Sequence, residues 1–401
     1  MSQTFDLILK GGDVVNHNGR GIADIGVIDG RIAKIGDLGQ ASAGETIDCS
    51  GLLVVPGVID TQVHFREPGM EWKEDLQSGS LCAVLGGVTA VFEMPNTEPT
   101  TTSPDMMTDK LNRAKGRMHC DHAFYAGATS ENADVLPVME KMVGCCGVKV
   151  FMGASTGSLL VKDDAEAAIM STKRLVRLAR KTGKRIHVLH ISTAEEMDFL
   201  AQHRDIASVE ATPQHLTLEG PEIYERIGSR AQMNPPLRDA HHRAGLWRGL
   251  QQGIVDVIGS DHAPHTLEEK AKPYPQSPSG MPGVQTLVPV MLDHVNAGRM
   301  SIERFVDLTS HGAQRIFGIA NKGRMAEGWD ADFTLIDMKR TETITDDWSA
   351  SKSGWTPFDG MSVTGWPVGT IVRGQSVMRD GELVTRGAGA PVRFQEALPK
   401  T

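Results

Sequence analysis

Ile59-Asp60-Thr61-Gln62-Val63-His64-Phe65-Arg66-Glu67-Pro68-Gly69 follows an apolar run that begins at Leu52 and closes in a Pro-Gly turn. Residues two apart on a strand face the same way, so Asp60, Gln62, His64 and Arg66 are presented together where the strand ends. A metal would be gripped best by an imidazole at both 62 and 64. Here the first of those positions is an amide.

Working outward from this strand, the middle of the chain alternates strand and helix. Strand candidates are Val58 to Phe65, Val88 to Met94, His122 to Ala126, Val148 to Met152, Ile186 to Ile191, Ser208 to Ala211 and Val255 to Ile258. Between them lie helical patterns, among them Ser103 to Lys115, Leu136 to Met142, Ala165 to Arg180, Ala194 to Gln202 and Ala240 to Gly253. Strand after helix after strand implies a parallel sheet, and the number of repeats points to an α/β chain built on a (β/α)8 barrel. Seven barrel strands are legible. The shortfall falls near Asp163 to Ser171, where two strand candidates are separated by a polar turn and a single helix.

The two ends read differently. Phe5 to Leu9, Ile22 to Ile28 and Ile32 to Ile35 are short strands broken by Gly11-Gly12 and Asp29-Gly30, and Ala331 to Asp337, Val368 to Arg373, Ser376 to Arg379 and Glu382 to Val384 repeat the style. The expected organisation is a composite β-sandwich domain from 1–55 and 316–401 around a catalytic barrel at 56–315.

Composition bounds the partners. The 401 residues carry a formal net charge of −9, which argues against a nucleic-acid partner because phosphate binding needs a clustered basic face. No apolar stretch approaches the ~20 residues of a membrane helix, and no export signal is read at the N-terminus. Five cysteines without a C-x-x-C pair suit a reducing cytoplasm.

Chemistry in a barrel sits where strands end. The chain places Gln62, His64 and Arg66 after the first strand, Asn96 after the second, Lys149 in the fourth, His190 in the fifth legible strand, Thr212 to His215 after the next, and Asp261 to His265 after the last. Each has an ordinary alternative: a core histidine, or a helix cap at Asp261. Lys149 between two valines must reach solvent, pair with an acid or be chemically altered. Gathered at successive strand ends, His, Asp and Lys suit a hydrolytic metal centre.

These motifs resemble the dihydroorotases of the bacterial cyclic-amidohydrolase type, relatives of hydantoinases, dihydropyrimidinases and allantoinases. The resemblance rests on Pro56 to Asp60, His64 to Gly69, Glu93 to Thr97, Val148 to Gly153, His187 to Ser192, Met233 to Arg238 and Gly259 to His265, in that order. It implies one or two Zn²⁺ per subunit held by His64, Lys149 as a carboxylated bridge, His190 and Asp261, with Asp261 also the general base. It further implies that Arg66, Asn96 and His265 bind the carboxylate of a small anionic substrate, that Asn234 lies near its ring, and that the subunit is a homo-oligomer.

Two departures stand out. Gln62 replaces the first histidine of the metal pair, and the family's His-Ala-Glu-like strand between those of Lys149 and His190 is missing. Either a segment is lacking from the sequence as read, or the chain is a natural shortened relative, or another segment substitutes. A measured intact mass of 43.3 kDa would eliminate the first. The rival functions are a hydantoinase or dihydropyrimidinase, whose substrates lack the carboxylate, and a catalytically silent homologue serving as structural partner of aspartate transcarbamoylase. The loop Thr266 to Gly283 is expected over the mouth, with backbone groups of Met281 and Gly283 offered to the substrate ring.

Overall fold

A computed structural model of the chain describes residues 4–16, 19–152 and 165–395. Both ends of the chain enter one hydrogen-bonded sheet of nine strands. From the first end come β1 (Thr4–Asn16), β2 (Gly19–Ile28), β3 (Arg31–Gly36), β4 (Ser42–Asp48) and β5 (Leu53–Pro56). After the barrel strands, β6 to β12, the second end supplies β13 (Phe333–Thr343), β14 (Ser362–Val372), β15 (Gln375–Arg379) and β16 (Glu382–Leu383). The join is β5, which runs parallel to β1 on one side and antiparallel to β13 on the other. Leu7, Leu9, Ile25, Val27, Phe333 and Ile371 alternate inward and form this sheet's own core.

The barrel strands are β6 (Val58–Val63), β7 (Val88–Glu93), β8 (Asp121–Gly127), β9 (Cys145–Lys149), β10 (Ile186–Val188), β11 (Ala207–Ala211) and β12 (Val257–Ile258). They are all parallel, as strand–helix alternation requires, and those of β6 to β8 are buried throughout. Helices between them start where the sequence supplies caps. Ser103 accepts from Met106 N ahead of Pro104, Thr193 accepts from Glu196 N, and Asp239 accepts from the amides of both His241 and His242. Each such cap is worth about 1 kcal/mol. None of the described helices is long and apolar enough to cross a membrane.

The wall of the barrel is joined at one place and parted at another. β12 meets β6 through the Val63–His262 bridge, with His64 N donating to His262 O at 2.7 Å. The remaining strands form a four-stranded sheet, β6 to β9, and a three-stranded sheet, β10 to β12. Among the described residues no strand pairing joins β9 to β10. This is the position of the shortfall read from the sequence, of which Asp163 and Asp164 lie outside the described residues and 165–171 open the helix Ala165–Thr182.

β9 itself departs from expectation. The apolar Val148 to Met152 pattern predicts a strand there, yet pairing with β8 runs from Cys145 to Lys149. Val150 and Phe151 fall beyond it and are 52% and 43% exposed. With a partner on one side only, their side chains gain little from extending the ladder. The helix Ala165–Thr182 lines the same opening with Ala168, Thr172 and Leu175.

Candidate active site at the barrel mouth

A cavity of about 1590 Å³ runs from the mouth, at His64, Asn96 and Asp261, to the far end of the barrel at Arg204 and Asp256. Small-molecule sites usually occupy about 300–1,000 Å³, and barrel interiors are normally filled by side chains. The excess is continuous with the parted wall, since β9 and β10 both line it.

The strand ends bring the expected residues together. His64 Nε2 lies 3.2 Å from Asp261 Oδ1, and His64 Nδ1 lies 2.8 Å from Asn96 Oδ1. Gln62 Nε2 donates to the same Asp261 oxygen at 2.9 Å. Lys149 and His190 line the same cavity. Asp261 and His190 both hold positive φ, 45° and 38°, so the backbone is bent sharply where each side chain is delivered. Asn234 is exposed on the cavity wall.

Burial sets the electrostatics. Desolvation pushes His64, His190 and Lys149 below their ordinary pKa values, with Asp261 opposing it in each case. The imidazoles are therefore neutral and the lysine is biased toward its free amine. Burial raises the Asp261 carboxyl, but His64, His190 and Lys149 more than offset this and hold it below its usual value. A buried, ionised carboxylate thus faces two neutral imidazoles.

That arrangement fits a cation. With Nδ1–H of His64 donated to Asn96 Oδ1, the neutral ring points its Nε2 lone pair at a carboxylate oxygen, and two lone pairs that face each other are relieved by a metal ion. Gln62 Oε1 is buried without a partner, so the amide has an oxygen to offer on rotation. His64, His190 and Asp261 are nonetheless too far apart to form a compact triad. Among the described residues, Glu195, His241 and His242 are the group of three His, Cys, Asp or Glu whose ligand atoms lie within 4.8 Å of one another, and they stand at helix starts outside the cavity lining.

The second cluster is cationic. Arg66 is buried at positive φ, and its Nη2 lies 3.2 Å from His265 Nε2 while its Nε donates to Pro264 O. Burial brings its pKa down to about 10, still charged at neutral pH. Lys73, which sequence reading passed over, approaches His265 Nδ1 at 3.2 Å and pairs with Glu269 at 2.9 Å. Glu210 was missed as well: fully buried at the end of β11, it accepts from Thr61 Oγ1 at 2.6 Å and from His190 N. Glu210 carries a signal, an acid in the apolar run Val209 to Ala211. Lys73 carries none, because its partners come from another loop.

The structure corrects the reading of Met281 and Gly283. Met281 O accepts from Ala263 N, and Gly283 N donates to His262 Nδ1, so both groups are spent on holding the loop after β12. The loop from Thr266 is pinned by Lys270, whose buried ammonium donates to Gln232 O and Pro278 O at 2.8 Å each. His215 is likewise occupied, by Thr212 Oγ1 and Pro235 O.

The amidohydrolase family model matches residues 53–377. A dihydroorotase of Methanothermobacter thermautotrophicus is 35% identical, with 90% of this chain and 92% of that protein covered. A dihydroorotase of Pyrococcus furiosus is 35% identical over 91% of each. This chain belongs to the amidohydrolase family, among its dihydroorotases. The solved L-hydantoinase (dihydropyrimidinase) of Arthrobacter aurescens superposes on this amidohydrolase with a TM-score of 0.91 at 30% identity, covering 97% of this chain and 99% of that one. The Methanothermobacter alignment runs over 404 residues while using 90% of a 401-residue chain, so about forty positions of the relative have no counterpart here. That is close to one strand–helix unit of a barrel, about thirty residues.

Proposed function

We propose that this amidohydrolase interconverts dihydroorotate and N-carbamoyl-aspartate at the mouth of the barrel, taken as 56–315, with 1–55 and 316–401 as its composite β domain. The observation that carries the substrate is the buried Arg66 beside His265 and Lys73, a local cationic pocket in a chain of net charge −9. A neutral hydantoin or dihydropyrimidine gives such a pocket nothing to neutralise.

His64, His190, Asp261 and Lys149 would hold Zn²⁺, which when bound polarises the ring carbonyl and lowers the pKa of water. Burial favours the free amine of Lys149, the form that takes up CO₂ to become an anionic carbamate ligand. Asp261 accepts a proton from the attacking water as the C–O bond forms at the ring carbonyl. It returns that proton to the ring nitrogen as the C–N bond breaks. Gln62, whose Nε2 donates to Asp261 Oδ1, orients the carboxylate for this transfer. Asn96 fixes His64 through its carbonyl and keeps its NH₂ for the substrate.

Arg66→Met tests the substrate assignment. Loss of a charged two-bond contact costs about 2–3 kcal/mol, a rise in KM for dihydroorotate of roughly a hundredfold, with dihydrouracil turnover unaffected. Equal kinetics of wild type and variant on dihydroorotate would reject it.

Metal content is the second test. Chelation should abolish turnover, and Gln62→His should raise the zinc bound per chain, because imidazole replaces an amide at a cavity-facing position. The parted wall and Gln62 favour one other reading, a silent homologue. A wild-type chain without zinc and without turnover of either substrate would select it.

A further inference from the structure

His265 stands between two cations, and its ring has one lone pair to satisfy them. Lys73 Nζ lies 3.2 Å from Nδ1 and Arg66 Nη2 lies 3.2 Å from Nε2. An ammonium and a guanidinium only donate, so whichever nitrogen carries the proton turns an N–H toward a cation. Protonating both nitrogens is no escape, because burial and the neighbouring Arg66, Lys73 and Lys270 drive the ring strongly toward neutrality.

Ser279 breaks the tie. Its carbonyl oxygen lies 3.1 Å from Nε2 and can only accept. The arrangement that satisfies most groups has Lys73 donating to Nδ1 and Nε2–H donating to Ser279 O. Glu269 holds the ammonium in place at 2.9 Å, and its second oxygen is tied to Thr266 N at 3.1 Å. Arg66 Nη2 is then left opposite another donor, with no acceptor between them.

We infer that Lys73 is a positioning residue which fixes the Nε2–H tautomer of His265, so that the ring is spent on Lys73 and Ser279 and Arg66 Nη2 keeps its hydrogen for one carboxylate oxygen of the substrate. This deepens the dihydroorotase reading and rests on it for the identity of the carboxylate. Lys73 touches no substrate atom. The opposite tautomer would let Arg66 donate to the ring and leave a satisfied pair with less to gain from an anion.

The test is imidazole tautomer assignment by long-range ¹H–¹⁵N correlation on the full chain labelled at histidine, with His265→Gln used to identify the signal. The wild type should show the Nε2–H pattern. Lys73→Met should shift His265 toward Nδ1–H and raise KM for carbamoyl-aspartate about tenfold, with kcat within about twofold, and Lys73→Arg should restore both. An Nδ1–H pattern in the wild type overturns the inference, as does a folded Lys73→Met with unaltered tautomer and KM. Should that variant fail to fold, the wild-type pattern decides. Absence of turnover on any cyclic amide would defeat the dihydroorotase reading and leave the tautomer measurement standing.

Discussion

Insertion of a barrel strand–helix unit of about thirty residues ahead of the helix Ala165–Thr182 should raise the melting midpoint by at least about 5 °C. The reason lies in the parted wall. Among the described residues β9 and β10 each have one hydrogen-bonded neighbour where every other strand of the barrel wall has two, and Val150 and Phe151 beside the opening are largely exposed. A strand placed between them would complete both ladders, at about 1 kcal/mol net per hydrogen bond. It would also cover apolar side chains worth about 1.5–3 kcal/mol each when fully buried. A few kcal/mol suffices, since each moves the midpoint by about 2 °C in a large domain. Differential scanning calorimetry on the two chains provides the comparison, and an unchanged or lower midpoint would show that the edges are already covered.

Asp261→Asn is expected to lower kcat by about a thousandfold or more while leaving substrate binding near its wild-type strength. An amide cannot take a proton from water, and general base catalysis is worth about 10²–10⁴. The carboxylate also faces the lone pair of His64, so its loss removes an anionic ligand from the same place. Steady-state kinetics beside zinc analysis separates the contributions: with zinc retained and kcat collapsed, proton transfer carries the effect. A variant within tenfold of wild-type kcat would remove Asp261 from the mechanism.

Much of this was legible because barrel chemistry is written at strand ends. His64, Lys149, His190 and Asp261 sit within or just after strands whose apolar runs are plain in the sequence, and parallel strands bring those ends to one side of the barrel. β6 and β7 were read to within two residues, since their β-branched residues are buried throughout. β9 was read three residues late, because the apolar pattern at Val148 to Met152 carries no information about which neighbour is there to pair with. The backbone groups of Met281 and Gly283 were misread for a related reason. Whether an N–H or C=O is free depends on what another segment brings within 3 Å of it.

The sequence by itself determined the alternation of strand and helix, the strand ends whose polar side chains meet in one cavity, and the place where a barrel unit is wanting. Those follow from local periodicity and from counting. Only the tertiary structure decided that Gln62 donates to Asp261, that Asn96 orients His64, and that Lys73 and Ser279 engage opposite nitrogens of His265. These are contacts between residues 14 to 199 positions apart, and no pattern along the chain encodes their directions. A hydrogen bond has a donor and an acceptor only once both are in place, so the roles of such residues are set by packing.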